Sequence, residues 1–317
     1  MRALVTGATG FVGPHLITHL RAAGDDVVLP GDAEGANGSF DITDRAVVHD
    51  VFDAQRPEVV YHLAAWSDVG ASWRDPIGCL RVNVEGTANV LDACIAHGVR
   101  RLVYTSTIDV FAWTPGVPFD ESRLDPAPRP TFYERSKQDA DRLVVAALES
   151  GLDAVFLHPA AVYGPAPVVT VALNDFLIRL ANRKIPLLLP GGMPVVHAED
   201  VASGHLAAAE RANPGDRFIL SGPYMSLREI AAAVREHVPR AKVPPVMPMA
   251  FARALAAGGE ALARRTKRPP LIARGEQIFL ASHPVPVADR AREALGWESR
   301  PVPQGIAETL AALKQPG

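Results

Sequence analysis

The first half of the chain alternates short apolar runs with longer stretches in which apolar residues recur at helical spacing. The apolar runs, which we predict to be buried strands, cover residues 3–5, 27–29, 59–63, 102–105 and 154–157. The helical patterns between them include residues 14–23, 83–97 and 133–149. This alternation predicts an α/β fold in which a doubly wound parallel sheet is covered by helices on both faces.

The pattern changes after Pro159, where prolines become frequent around a helical segment at 171–183. A strand at 194–197, a helix at 199–211 and a strand at 218–220 then indicate a return to the sheet. Later segments, mostly helical, are predicted at 227–237, 249–265 and 304–314, with a basic, proline-rich loop at 264–274. We therefore predict a nucleotide-binding domain over residues 1–166, with 194–222 returning to it, and a smaller, interleaved substrate-binding lobe over 167–317.

Composition narrows the possible partners and the compartment. The 317 residues are 48% hydrophobic and 21% charged with a net charge of -3, which gives no electrostatic reason to bind nucleic acid. Cys79 and Cys94 both lie in helical patterns, so we expect buried free thiols. The first residues lack the basic and apolar regions of a signal peptide, and no apolar run is long enough to span a bilayer. We expect a cytoplasmic protein that acts on a small molecule without membrane insertion.

A glycine-rich turn follows the first strand, where residues 6–13 read TGATGFVG and lead into a helix. Gly7 permits a tight turn, Gly10 lets a pyrophosphate approach the backbone, and Gly13 lets helix and strand pack closely. The N-terminus of the following helix favours an anion. The motif predicts a dinucleotide site in a Rossmann-type domain.

The end of the second strand bears on the choice between NAD and NADP. An acidic residue there binds the adenosine ribose of NAD, whereas a basic one binds the 2′-phosphate of NADP. Asp32 is the available acid, and no Lys or Arg follows until Arg45. NAD is therefore favoured over NADP, although Asp32 stands about one residue late for the usual spacing.

Tyr133 and Lys137 open a predicted helix and lie four residues apart, which places them on one face. A free phenol titrates near 10, and an ammonium about 4 Å away interacts by roughly 4 kcal/mol at an effective dielectric of 20. We therefore expect Lys137 to lower the pKa of Tyr133 by about a unit or more. Upstream, a buried strand ends in hydroxyl residues, of which Thr107 is our candidate to hydrogen-bond the substrate oxygen and Ser106 the alternative.

Together these residues resemble the extended short-chain dehydrogenase/reductases of the NAD-dependent epimerase/dehydratase superfamily. The resemblance implies that Tyr133 exchanges a proton with the substrate while hydride moves to or from a nicotinamide, and that Lys137 also holds the nicotinamide ribose. It places Asp41 and Ile42 beside the adenine. It further implies a homodimer formed through residues 83–97 and 133–149. The cofactor-binding residues it implies, with Asp32, are Gly7, Thr9, Gly10, Phe11, Val12, Gly13, Asp41, Ile42, Leu63, Ala64, Ala65, Asn83, Thr105, Tyr133, Lys137 and Pro159.

Within that superfamily two branches compete. A sugar nucleotide brings a diphosphate that needs a cation, and the branch that binds it typically has an Arg-Asp pair where this chain has Met193 and Pro194. We therefore favour the branch of 3-beta-hydroxysteroid dehydrogenases and dihydroflavonol reductases (EC 1.1.1), acting on a hydrophobic alcohol or ketone. The substrate-binding residues we expect are Ser67, Thr107, Asp109, Val162 and Met193.

Two alternatives stay open. A nucleotide-sugar 4-epimerase or dehydratase (EC 5.1.3) is favoured by residues 72–76, and Arg179, Arg183 or Arg274 would then contact phosphate. A nucleotide-sensing regulator without catalysis commonly lacks the Tyr or the Lys, and both are present.

Three histidines, His62, His158 and His197, have no partner at metal-ligand spacing, so we expect structural histidines and no metal.

Overall fold

The computed structural model describes residues 1–29, 40–166, 169–252, 254 and 280–313. Asp32, the basic stretch 264–274 and most of the predicted helix 249–265 lie outside the described residues. In chain order the strands are β1 (Arg2–Thr6), β2 (Asp26–Val28), β3 (Val59–His62), β4 (Arg101–Thr105), β5 (Pro118–Phe119), β6 (Ala154–Pro159), β7 (Ala161–Tyr163), β8 (Gly192–His197), β9 (Arg217–Leu220), β10 (Tyr224–Ser226) and β11 (Val285–Pro286).

The helices follow the amphipathic stretches of the sequence, with a π-helical turn at Arg81–Glu85 and a 3₁₀ turn at Ile108–Val110. In chain order they are α1 (Gly13–Ala22), α2 (Arg45–Gln55), α3 (Val69–Arg74), α4 (Pro76–Leu80), α5 (Gly86–Ala96), α6 (Phe132–Glu149), α7 (Ala172–Ala181), α8 (Ala198–Arg211), α9 (Leu227–His237), α10 (Asp289–Leu295) and α11 (Val302–Ala312). None of the helices in the described ranges is long and apolar enough to cross a membrane.

A six-stranded parallel sheet in the order β2-β1-β3-β4-β6-β9 forms the centre of the molecule. Alternate residues of β1 point to opposite faces, so that Ala3 and Val5 join one hydrophobic cluster and Leu4 joins the other. Because both faces are covered, β6 is buried along its whole length. The predicted doubly wound α/β fold is confirmed, and the strand order reverses between β1 and β3, where such sheets bind ligands.

A second sheet of three strands, in the order β10-β8-β7, lies beside the carboxyl end of β6 and contributes to a third hydrophobic cluster with α7, α9 and α11. Only Ala160 separates β6 from β7, so the chain passes directly from one sheet to the other. The sequence pattern predicts that residues 194–222 return to the main sheet. Of the strands in this range, β9 joins the main sheet, whereas β8 pairs with β7 and β10 in the second sheet.

The helices that the resemblance assigns to a dimer pack their apolar sides within this chain. Val90 and Cys94 of α5 and Ala140 and Val144 of α6 are all fully buried in the cluster on one face of the main sheet. Their apolar periodicity is therefore explained by the monomer, and the homodimer stays a prediction.

An acidic residue of α8 connects that helix to α1. The Glu199 carboxylate contacts His15 Nδ1 at 2.7 Å and His19 Nε2 at 3.0 Å, and His15 Nε2 also contacts the Pro165 carbonyl at 2.9 Å. Although burial opposes it, the hydrogen bonds from the two histidines hold the pKa of Glu199 below its ordinary value. The ionised form of Glu199 therefore stabilises the fold.

We expect Glu199→Gln to lower the free energy of unfolding by about 1 kcal/mol at neutral pH, because the Glu199 side chain is 34% exposed and solvent weakens the pair. A carboxyl whose pKa is lowered by folding adds stability above its unfolded pKa and loses it as the pH falls through the folded value. The difference from wild type should therefore shrink on acidification, as measured by urea unfolding across the acidic range. Glu236→Gln, at an exposed position of α9, is the control and should change little. If the unfolding free energies of Glu199→Gln and wild type differed by the same amount at all pH values, the stabilising role of ionised Glu199 would be contradicted.

Candidate active site

The glycine-rich turn between β1 and α1 has the shape that a dinucleotide phosphate requires. Gly7 has a φ of +72°, and a Cβ there would lie 2.7 Å from the Ala64 nitrogen. At Gly13 a Cβ would lie 2.5 Å from the carbonyl oxygens of Gly7 and Ala8, so helix and turn are in close contact. A Cβ on Gly10 would meet only the Gly7 carbonyl, at 3.1 Å, which leaves its outer side open. Gly7 and Gly13 thus fit the tight turn and the close packing inferred from the sequence, and the approach of a pyrophosphate to Gly10 stays a prediction.

The start of α1 offers donors to an anion. Within the described part of the chain, the N–H groups of Phe11 and Val12 make no backbone hydrogen bond, and no side-chain hydrogen bond caps the helix at Val12. Free N–H groups at a helix N-terminus attract phosphate. The turn and the helix therefore fit the pyrophosphate of NAD, with Thr9, Phe11 and Val12 at its rim.

The end of β3 is bound to the glycine turn by a buried threonine. Thr6 Oγ1 accepts the N–H of Ala64 at 3.2 Å and contacts His62 Nδ1 at 2.7 Å, while His62 Nε2 contacts Thr87 Oγ1 at 3.0 Å. Burial lowers the pKa of His62 to about 3, so the ring is neutral. This geometry places Leu63 and Ala64 beside Gly7, and it leaves His62 with a structural role.

Asn83 lies in the π-helical turn and holds the loop after β3. Its Oδ1 accepts the N–H of Trp66 at 2.7 Å, and its Nδ2 donates to the Trp66 carbonyl at 3.0 Å and to Ser136 Oγ at 2.8 Å. Ser136 Oγ in turn donates to the Tyr133 carbonyl at 2.7 Å. Both amide hydrogens of Asn83 therefore have protein acceptors and shape the cleft, and its contact with the cofactor stays a prediction.

The remaining residues of the cofactor prediction lie along the same edge. Asp41 is exposed and its carboxylate accepts two hydrogen bonds from Thr43, whereas Ile42 is buried against Gly86. Ala65 is exposed on the loop after β3, and Pro159 is buried at the end of β6. Thr105 lies at the end of β4.

The first turn of α6 carries the predicted phenol and ammonium. A capping box, in which Thr131 and Glu134 bond each other's backbone N–H groups, begins the helix at Phe132. Lys137 is 4% exposed, and its Nζ donates to the Thr105 carbonyl at 2.7 Å. Burial lowers the pKa of Lys137 to about 8, which lets this side chain gain or lose a proton near neutral pH.

The Thr105 side chain is fixed by a buried histidine of α8. His205 Nδ1 donates to the Val201 carbonyl at 2.8 Å, so its Nε2 accepts the Thr105 hydroxyl at 2.7 Å. Burial lowers the pKa of His205 to about 4 and keeps the ring neutral. Thr105, whose carbonyl accepts the hydrogen bond from Lys137, is therefore fixed in position by His205.

The sequence left open whether Ser106 or Thr107 faces the substrate. Ser106 donates to the Asp141 carboxylate at 3.0 Å, in a buried network on the other side of the strand end. Thr107 instead lies near the Tyr133 phenol, close enough for its hydroxyl to influence the pKa of that group. Thr107 and Tyr133 are thus the pair that the structure brings together.

One prediction about the phenol is wrong for this structure. Burial raises the pKa of Tyr133 well above its ordinary value, the carboxyl of Asp109 raises it further, and the nearby Thr107 hydroxyl only partly opposes the rise. Lys137 does not produce the expected lowering, because its ammonium is directed to the Thr105 carbonyl. At neutral pH the phenol is therefore protonated and able to donate.

Sequence reasoning missed a buried network behind the hydroxyls. Arg217 contacts both Asp141 oxygens, at 2.8 and 3.1 Å, and His158 Nε2 at 3.3 Å. His158 Nδ1 therefore donates to the Thr107 carbonyl, at 3.1 Å. The available signal was the position of Asp141 one turn after Lys137 on α6, but nothing in the sequence pairs it with Arg217, 76 residues away.

The residues predicted to bind substrate are only partly brought together. Thr107 and Asp109 are adjacent and buried, whereas Ser67 is exposed on the loop after β3. Val162 and Met193 are half-buried on β7 and β8 of the small sheet, which follows the carboxyl end of β6. Within the described residues no cluster of histidine, cysteine or acidic side chains suits a metal ion.

Comparison with known proteins agrees with this geometry. The model of the NAD dependent epimerase/dehydratase family matches residues 3–220. The chain belongs to that family, and it is an enzyme of the extended short-chain dehydrogenase/reductase kind, as its motifs indicated.

Individual relatives come from both branches. A putative dihydroflavonol 4-reductase of Synechocystis sp. (strain ATCC 27184 / PCC 6803 / Kazusa) is 29% identical over 78% of this chain and 77% of its own. Sterol demethylase protein B of Methylococcus capsulatus is 29% identical over 77% and 78%, and a UDP-glucose 4-epimerase of Mycolicibacterium smegmatis is 29% identical over 98% and 97%.

Solved structures share the fold over nearly the whole chain. The crystal structure of gox2253 superimposes with a TM-score of 0.82 at 25% identity, covering 98% of this chain and 97% of the other. The UDP-glucose 4-epimerase of Thermus thermophilus, crystallised with NAD, gives a TM-score of 0.77 at 27% identity over 99% of each chain.

Two glycine variants separate cofactor binding from folding. We expect Gly10→Ala to fold normally but to bind NAD at least about tenfold more weakly, because its methyl group points to the open side of the turn. Gly13→Ala, the matched variant, should lower the free energy of unfolding by about 1–3 kcal/mol, because its methyl group overlaps two carbonyl oxygens. Calorimetric titration with NAD and thermal unfolding measure the two effects. Wild-type affinity in Gly10→Ala would contradict the phosphate site.

Proposed function

We propose that this enzyme is an NAD-linked oxidoreductase that interconverts a secondary alcohol and a ketone on a hydrophobic, steroid-, flavonoid- or terpenoid-like substrate. Thr107, Tyr133 and Lys137 are its reacting groups. The observation that carries the proposal is the proximity of a protonated, half-buried phenol to the buried Thr107 hydroxyl, beside the edge of the sheet where the glycine turn lies. Two hydroxyl donors converging there suit one substrate oxygen.

The hydrophobic substrate class is supported by the contacts of three arginines, which are paired with protein groups and so are not available to a diphosphate. A diphosphate needs a cation with free donors, but Arg129 donates to the carbonyls of Asp109 and Phe111 and lies 3.6 Å over the Trp113 ring. Arg217 is paired with Asp141, and Arg300 with Asp200 and Glu308. These three partly buried arginines therefore have protein partners, whereas Arg179 and Arg183, the cations named for the sugar-nucleotide alternative, are exposed at the end of α7 and just after it.

Two relatives support the same class by name. One is named for the reduction of a dihydroflavonol and one for a sterol. The segment at 72–76, which favoured the sugar-nucleotide branch, has a structural role here: Asp75 caps α4 through the Gly78 N–H, and Trp73 packs edge-on against Phe132.

The bound nicotinamide would supply the hydride acceptor or donor, and the protein supplies the proton. In the reducing direction the Thr107 and Tyr133 hydroxyls bind the carbonyl oxygen, and Tyr133 Oη gives up its proton as that oxygen becomes an alcohol. Lys137, four residues further along the same helix and with a pKa near 8, is the group that would restore this proton to Tyr133. In the oxidising direction the same groups act in reverse.

NAD is our proposed cofactor in preference to NADP. The family is NAD-dependent by description, and structural relatives were crystallised with NAD. Titration with both nucleotides tests the choice, and tighter binding of NADP would overturn it.

Tyr133→Phe should lower turnover by about three or more orders of magnitude and leave NAD affinity nearly unchanged, because only the transferable proton is removed. The assay mixes protein with NAD and a panel of sterols, aromatic alcohols and sugar nucleotides and follows NADH absorbance. Tyr224→Phe, which removes a hydroxyl from a half-buried tyrosine stacked on His283, is the control. Wild-type turnover in Tyr133→Phe would sink the assignment.

The same assay separates the second candidate, a nucleotide-sugar 4-epimerase, which is favoured by the near-complete coverage of the UDP-glucose 4-epimerase relative. Net NADH formation with an apolar alcohol supports the oxidoreductase. Isomerisation of a UDP-sugar without net NADH supports the epimerase and contradicts our proposal.

A further inference from the structure

Asp109 forms two contacts with the hydroxyl that the proposed reaction needs. Thr107 Oγ1 accepts the Asp109 N–H at 3.3 Å and donates its proton to Asp109 Oδ2 at 2.9 Å. The first contact is the cap of the 3₁₀ turn at Ile108–Val110, so it fixes the hydroxyl oxygen in place. Thr107 is 6% exposed and Asp109 8% exposed, which keeps both contacts out of bulk water.

A threonine hydroxyl has one proton to donate. A carboxylate is a stronger acceptor than a neutral carbonyl oxygen, so ionised Asp109 competes for the proton that a substrate oxygen would need. A protonated Asp109 reverses this bond, because its own O–H then donates to Thr107 Oγ1. The Thr107 proton is released by that reversal.

The surroundings of Asp109 allow both forms. Among the described residues, Oδ1 has no hydrogen-bond partner, although it is buried. Arg129 lies nearby, but its Nε donates to the Asp109 backbone carbonyl and its Nη1 contacts Asp125 at 3.2 Å, so neither atom bonds the Asp109 carboxyl group. Glu134 and Tyr133 face Asp109 from α6.

The remaining charged and titratable groups lie on the far side of Thr107. His158 on β6 contacts the Thr107 carbonyl, and Arg217 on β9 is paired with Asp141. Burial, followed by the charge of Glu134, raises the pKa of Asp109 to about 7, against the opposing effects of Arg129 and of the Thr107 hydrogen bond. Near neutral pH the carboxyl is therefore present in both forms.

We propose that Asp109 is a positioning residue whose carboxyl sets the direction of the Thr107 hydroxyl, and that only its protonated form leaves the Thr107 proton free for the substrate oxygen. This inference rests on the proposed role of Thr107 in alcohol and ketone chemistry. It predicts a loss of activity on the alkaline side that arises from Asp109 and not from Tyr133. No proton of Asp109 is transferred to the substrate.

The protonation of Asp109 is measured without any substrate. Infrared spectra of the wild-type protein should show the C=O band of a protonated carboxyl that disappears as the pH rises through about 7. Asp109→Asn should lack this band at every pH. In Thr107→Val the band should persist to higher pH, because the hydrogen bond that stabilises the carboxylate is gone. Absence of the band from wild type, or an unshifted titration in Thr107→Val, would overturn the inference.

The effect on Thr107 is measured by the pH profile of kcat/KM in the reducing direction, with NADH and the ketone formed from the alcohol found in the panel. Wild type should lose activity between about pH 7 and 8, below the range in which Lys137 is mostly deprotonated. Asp109→Asn should lack this loss, because its amide N–H donates to Thr107 at every pH. In a Thr107→Val background the same substitution should change nothing further. Asp120→Asn, a charge change at an exposed site in the same loop region, should keep the wild-type profile.

An Asp109→Asn profile that retains the alkaline decline would overturn the inference and leave the assignment of Tyr133 standing. Normal turnover in Tyr133→Phe would instead refute the proposed function. The infrared titration would still report on Asp109 in that case. The two failures are therefore distinguishable.

Discussion

The contact on which the site depends is the hydrogen bond from the Lys137 ammonium to the Thr105 carbonyl, 2.7 Å long and buried. It joins the first turn of α6 to the carboxyl end of β4, and so it sets where the Tyr133 phenol stands relative to the Thr107 hydroxyl. The lysine also has Tyr104 beneath it, with Nζ 4.8 Å from the ring centroid. Together with the hydrogen bond from Ser106 to Asp141 of α6, this connection fixes the spacing of the two elements that carry the hydroxyls.

The surrounding structure makes that spacing rigid from both ends. On the helix side, the capping box of Thr131 and Glu134 fixes where α6 begins. On the strand side, His205 holds the Thr105 side chain and His158 holds the Thr107 carbonyl. Both rings are neutral because burial lowers their pKa values. Neutral histidines that bond hydroxyls and carbonyls add rigidity without adding charge, which leaves Lys137 and Asp109 to set the electrostatics next to the phenol.

Much of this arrangement could be predicted from the sequence because it is local. The glycine turn, the strand and helix periods, and the spacing of Tyr133 and Lys137 are all encoded within a few residues of one another. The pKa of Tyr133 could not be predicted, because it depends on burial and on which acceptor Lys137 chooses. The position of β8 was missed because a buried strand has the same apolar pattern in either sheet. The contacts of His158 and Arg217 with the strand end were missed because they join distant parts of the chain.

The most direct test of the central claim is a crystal structure of the protein with NAD bound, in which the position of the nicotinamide ring is measured relative to the Tyr133 hydroxyl. Our account predicts that a ketone placed with its carbonyl carbon roughly 3–3.5 Å from C4 of this ring has its oxygen within hydrogen-bonding distance of the Tyr133 and Thr107 hydroxyls. A nicotinamide ring that lies elsewhere, or that is separated from the Tyr133 hydroxyl by protein atoms, would contradict it.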